Sequence, residues 1–261
     1  MSDTVNQPAA FIPSPAAYSK ELFPAFHEAF DLVTPPNERG WRHLDLYDPM
    51  AGNGIRLFEC VDSWAASRAN DEARPRLVTF SLNGSEIEPE FIGKSWIVGR
   101  SMMHYRGKHR VVMTSPPYFN RASDQYLGTP AEREERAQTG KKPRRMSYAI
   151  SLGRVLAPDS LARLQWGPKA REKAREAWQH LFDNNLGEGG HFILNVKSHY
   201  RGWAFQDVAG WHLDACRKIG FELVKTWEIE CPGMRDGQNR ESRDANEFVY
   251  LFRKPIKENQ S

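Results

Sequence analysis

The sequence predicts an α/β protein, with a mostly parallel sheet, helices on both of its faces and one antiparallel strand near the end of the chain. Three observations carry this. Short apolar runs at 44–47, 77–82, 96–98, 111–113 and 192–196 alternate with stretches of helical periodicity. The run 192–196 is apolar almost without interruption, as a strand covered on both faces must be. The last two strands, near 221–229 and 247–253, have no helix between them, so one of them runs against the rest.

The elements follow in order. Residues 1–15 are polar and carry Ala and Pro, and suggest no element. Residues 16–33 place apolar side chains at helical spacing; Pro24 is expected to break or kink that run, and Pro35-Pro36 to end it. A buried strand at 44–47 leads into a turn at 48–54 and a helix at 55–69. Residues 119–147 are rich in Arg, Lys, Glu, Gly and Ser with little apolar period, the pattern of a long loop. A helix at 168–185, rich in Ala, Arg and Glu, is expected to stop near Gly187, and another is expected at 207–218. One domain over 41–255 results, preceded by a polar segment and helix at 1–40 and followed by a tail at 256–261.

Composition narrows the function classes. With 36 basic and 33 acidic residues the net charge is only +3, so global charge does not announce a nucleic-acid binder. Local charge says more: Arg136 to Arg145 holds five basic residues, among them Lys141, Lys142, Arg144 and Arg145, and no acid. Such a run suits a solvated loop as well as it suits contacts to phosphates. No apolar run reaches the roughly 20 residues a bilayer span needs, and the first residues lack a signal pattern. Cys60, Cys216 and Cys231 are far apart, so a zinc site or disulfide framework is not expected and a reducing cytoplasm is the default.

Two motifs carry chemistry. The apolar run 111–113 enters Thr114-Ser115-Pro116-Pro117-Tyr118. The two prolines fix two φ angles and remove two backbone donors, leaving a stiff lip of acceptors beside a flat aromatic surface. The lip suits a planar ring with an exocyclic amine, although a packed Pro-Pro turn is the plainer reading. Earlier, Asp48-Pro49-Met50-Ala51-Gly52-Asn53-Gly54 follows a strand, and its two glycines permit a tight turn with close approach of a ligand.

Together these segments resemble the amino-methylating DNA methyltransferases that use S-adenosylmethionine, whose (D/N/S)-P-P-(Y/F/W) motif follows the fourth strand. The Ser form seen here is typical of the cytosine-N4 members. Residues 44–54 look like the family's cofactor motif, residues 186–196 like its Gly-Gly turn and buried strand, and the pair 219–223 and 246–252 like its closing hairpin. The similarity covers roughly residues 40–255. It implies a Rossmann-like fold with seven strands, one antiparallel, and S-adenosyl-L-methionine as cofactor. It also implies transfer to cytosine N4 of DNA, with adenine N6, an RNA base or an inactive nucleic-acid-binding subunit as alternatives.

The resemblance further implies site residues. The Ser115 hydroxyl and Pro116 carbonyl would accept from the amine, Pro117 would hold the lip and Tyr118 would stack on a base flipped out of the duplex. Residues 48–54 and Thr114 would border the cofactor. An acid at the end of the second strand would bind the ribose; Asn83 stands there in this reading, with Glu86 further on. Ser101 falls near the adenine. No Pro-Cys nucleophile is present, since Cys231-Pro232 has the reverse order, which argues against carbon-5 methylation. Target specificity is expected from the loops at 119–147 and 230–245, or from a partner subunit or homodimer.

Overall fold

The computed structural model describes residues 19–50, 55–70, 77–86, 97–99, 101–116, 138–139, 161, 164–201, 204–231 and 244–257. Seven strands form one sheet: β1 (Arg42–Asp48), β2 (Val78–Glu86), β3 (Ile97–Gly99), β4 (His109–Thr114), β5 (Leu186–Val196), β8 (Glu222–Glu230) and β9 (Asn246–Arg253). The short strands β6 (His199–Arg201) and β7 (Ala204–Gln206) pair separately. The order in the sheet is β3-β2-β1-β4-β5-β9-β8. The pairs from β3 across to β5 are parallel, and β9 alone runs against both its neighbours. This is the Rossmann-like arrangement expected from the sequence.

Alternation along the strands sorts the core into two layers. Leu44, Leu46, Val111, Met113, Ile193, Val249 and Leu251 meet helices α1 (Phe23–Val33) and α2 (Ile55–Ala69) on one face. Their neighbours Tyr47, Val112, Phe192, Leu194, Tyr250 and Phe252 meet α3 (Pro168–His180) and α4 (Val208–Ile219) on the other. Each layer is anchored by a fully buried tryptophan whose N–H is satisfied. Trp64 packs edge-on against Phe30 and donates to Asp31, and Trp178 donates to His212 Nδ1 at 2.9 Å. Burial pushes His212 down to about 3, which keeps the imidazole neutral as an acceptor.

Four local readings differ from the structure. Pro24 does not break α1; it sits in the first turn, where its missing N–H costs nothing. The helix near 185 does not stop at a glycine cap. After His180 it widens into a π turn over Leu181–Asn185, and the chain passes directly into β5 at Leu186. Lys254 Nζ donates to the carbonyls of Phe182 (2.6 Å) and Leu186 (3.1 Å), so those acceptors are met without a left-handed glycine cap. The glycines serve the strand instead: Gly189 has φ of 71°, and a Cβ on Gly190 would lie 2.8 Å from the Gly187 carbonyl oxygen. β2 runs on to Glu86, and the hairpin β6–β7 was not foreseen.

Candidate active site at the carboxyl ends of the strands

β1 lies between β2 and β4, and the chain reverses its winding there: β2 and β3 extend one way from β1, and β4 and β5 the other. A crevice outside the carboxyl ends of the strands is the usual ligand position at such a switch point. The two motifs meet at this place. Leu46 and Tyr47 of β1 pair with Val111 and Val112 of β4, so Asp48-Pro49-Met50 leaves β1 beside Thr114-Ser115-Pro116 leaving β4.

Asp48 is 1% exposed, and its Oδ1 accepts the Met50 N–H at 2.9 Å. The carboxylate thereby folds the start of the turn back on itself, as aspartate does in an Asx turn. Thr114 is fully buried and its Oγ1 has no hydrogen-bond partner among the described residues. A buried, unmatched hydroxyl costs about 1–3 kcal/mol, which marks a position where a ligand atom would be welcome. Ser115 and Pro116 beside it are also buried. Ser101 lies just past β3, where its Oγ accepts from the Met103 N–H at 3.3 Å and caps a short 3-10 turn over Met102–His104.

Asn83 does not end β2. It pairs with Tyr47, and the strand continues for three residues, so Glu86 opposite Gly99 is the terminal position. Ala51, Gly52, Asn53, Gly54, Pro117, Tyr118, Lys141, Lys142, Arg144 and Arg145 lie outside the described residues.

Other polar groups at this end escaped the sequence reading. Asn195 of β5 is 1% exposed and donates to Glu247 Oε2 and to the Phe248 carbonyl, both at 3.3 Å. Lys197 follows on the same face, its Nζ 3.6 Å from Glu247 Oε1. The clue was present as one polar residue inside the apolar strand and another just past its end, but their partner stands about 50 positions later. A second group, Tyr105 Oη to His109 Nε2 (2.8 Å) and His109 Nδ1 to Asp45 Oδ1 (3.2 Å), lies at the start of β4, away from the crevice. Burial first, then the Glu247 charge, raises the Cys231 thiol to about 11, and burial raises Cys60 and Cys216 as well. All three thiols thus stay protonated and poorly nucleophilic. Among the described residues no cluster of His, Cys, Asp or Glu is arranged to hold a metal, and no helix is long and apolar enough to cross a membrane.

No family model matches the chain, and no curated protein matches it. Solved structures align weakly. One is an S-adenosylmethionine-dependent methyltransferase from Methanosarcina mazei, with 11% identity over 82% of this chain and 93% of that one, at a TM-score of 0.42. Magnesium protoporphyrin IX methyltransferase from Synechocystis, solved with S-adenosylmethionine bound, has 10% identity over 88% and 75%, at 0.42. A proposed DNA modification methylase from Thermus thermophilus has 15% identity over 61% and 51%, at 0.32, so the chain spans about half the length of that protein. At these values the alignments carry no argument about activity, and the topology rests on the strand pairing itself.

Proposed function

We propose that this protein is an S-adenosylmethionine-dependent methyltransferase that methylates an exocyclic amine in DNA, with cytosine N4 as the favoured acceptor. The observation that carries the reading is the meeting of Asp48-Pro49-Met50 with Thr114-Ser115-Pro116 at the switch point of the sheet. The residues fit the cofactor: a buried carboxylate stands at the end of β1, an unmatched hydroxyl at the end of β4 and Glu86 at the end of β2. Asp48 would accept from the amino-acid part and Glu86 from the ribose hydroxyls, where a carboxylate acceptor is stronger than an amide.

When bound, S-adenosylmethionine supplies an electrophilic methyl on its sulfonium. The chain's own task is to prepare the amine, whose lone pair is delocalised into the ring. The Ser115 hydroxyl and the Pro116 carbonyl accept its two N–H groups, which favours a more tetrahedral nitrogen and aims the lone pair. Burial of both residues shields those hydrogen bonds from water. Positioning and electrostatics then do most of the catalysis, with no covalent thiol required.

The test is incubation with labelled S-adenosylmethionine and, separately, duplex DNA, single-stranded DNA and RNA, followed by digestion and mass spectrometry of the nucleosides. N4-methylcytosine in DNA is the expected product. N6-methyladenine would keep the mechanism and change the base, methylated RNA alone would change the substrate, and no transfer by a folded chain that binds no cofactor would overturn the reading.

A further inference from the structure

We propose that Lys197 is a specificity-determining residue of the same site, donating a hydrogen bond to the bare ring nitrogen beside the amine of the target base. The inference rests on the nucleic-acid reading above. Unmatched polar atoms gather where β4 and β5 end. Besides Thr114 Oγ1, both Asn195 Oδ1 and Lys197 Nζ are buried with no hydrogen-bond partner among the described residues. An ammonium carries three donors and no acceptor, so a buried one is costly until an acceptor atom meets it.

The register sets these groups beside the lip. Thr114 of β4 pairs with Leu194 of β5, and the two strands run the same way. One residue further, Ser115 comes next to Asn195, at the usual strand spacing of about 4.8 Å. Lys197 follows just past β5, two residues and roughly 6–7 Å beyond Asn195. It therefore stands outside the carboxyl ends of the strands, where the ligand of a switch point sits. Asn195 and Lys197 share a side of the sheet, since both reach Glu247 of β9.

Glu247 decides what the ammonium can take. Its Oε2 accepts from Asn195 Nδ2 at 3.3 Å, which fixes the carboxylate. Its Oε1 stands 3.6 Å from Lys197 Nζ, close enough to balance the charge and too far for a hydrogen bond. The pair is neutral, and the carboxylate would repel a phosphate brought to the ammonium. What Lys197 lacks is a neutral acceptor. On the Watson–Crick edge of cytosine that acceptor is N3 and on that of adenine N1, each bonded to the carbon that carries the amine. Guanine has an N–H at the corresponding place, which an ammonium rejects.

The experiment measures methyl transfer from labelled S-adenosylmethionine to single-stranded oligonucleotides that hold one target base, either natural or as its deaza analogue. In the analogue a C–H replaces the ring nitrogen: 3-deazacytosine stands for cytosine, and 1-deazaadenine for adenine if the parent methylates that base. The parent is compared with Lys197→Met/Glu247→Gln, which removes the ammonium without leaving a lone buried charge. In each protein the ratio of kcat/KM for the natural base and the analogue is read, so the analogue's own reactivity cancels. That ratio is expected to be at least about 10-fold larger in the parent, the size of one hydrogen bond to a charged group, with cofactor affinity by calorimetry unchanged. Equal ratios would overturn the assignment of Lys197 and leave the methyltransferase reading standing. Should thermal melting show the double variant unfolded, Lys197→Met/Glu247→Leu, with an apolar pair in place of the ion pair, carries the same comparison. A folded parent that methylates no base overturns the functional reading and this inference together.

Discussion

Replacing Ser115 by Ala removes one oxygen from a buried position where the proposed chemistry needs an acceptor. The loss is felt when the amine nitrogen becomes tetrahedral and its N–H groups need fixed partners, and far less in cofactor binding. The expected result is a fall in kcat of about 100- to 1,000-fold, typical of deleting one preorganised hydrogen bond at a reacting centre, with cofactor affinity unchanged by calorimetry. The Glu247–Lys197 pair tests a different kind of residue. Its side chains are 6% and 13% exposed, so Glu247→Gln strands a buried ammonium. Urea unfolding should show a loss of about 3 kcal/mol, and Lys197→Met combined with Glu247→Gln should recover part of it. Neither partner was legible from sequence, because a buried ion pair leaves no periodic signature and its members lie 50 residues apart, Lys197 just past β5 and Glu247 in β9. Ser115 and Asp48 were legible because each sits within a few residues of a strand end, inside a motif of restricted residue types.

Elements with a strong period were read well, and those defined by tertiary partners were not. α2 over Ile55–Ala69 was placed to the residue, whereas β6 and β7, at three residues each, are too short to carry a pattern. The end of α3 was misread because Lys254, from the far end of the chain, meets the carbonyls that a glycine cap would otherwise have served. The same dependence on distant groups fastens α1 to α2. Arg68 makes a two-pronged contact with Asp31, which also accepts from Trp64, and Arg42 donates to the carbonyls of Asp31 and Thr34. Burial by itself would raise the Asp31 carboxyl, but the Arg68 and Trp64 hydrogen bonds outweigh it and hold the group below its ordinary 3.8. A depressed carboxyl stabilises the fold above its unfolded value and loses that contribution as pH falls through the folded one. Asp31→Asn is therefore expected to destabilise by about 1 kcal/mol at pH 7, a modest figure because the pair is partly exposed. The difference from the parent should close as pH falls below the ordinary 3.8 and through the depressed folded value, in denaturation series run at each pH.

At the scale of the whole molecule, the candidate site forms only when the two wings of the sheet are joined, since Asp48 at the end of β1 and Ser115 just past β4 come from neighbouring strands separated by a long stretch of sequence. A ligand seated across β1 and β4 binds the native state and not the unfolded chain, so it must stabilise the protein by mass action. At a free concentration 100 times the Kd the gain is about 2.7 kcal/mol. For a domain of this size that corresponds to a rise in Tm of roughly 5–10 °C. Asp48→Asn separates binding from folding, because an asparagine Oδ1 still accepts the Met50 N–H that shapes the turn while the carboxylate charge is lost. Scanning calorimetry should therefore find the variant's Tm close to that of the parent without ligand, and find little or no shift when S-adenosylmethionine is added. A shift of full size in Asp48→Asn would show that the cofactor is held without this carboxylate. An unchanged Tm in the parent at saturating concentration would remove the cofactor from the crevice altogether.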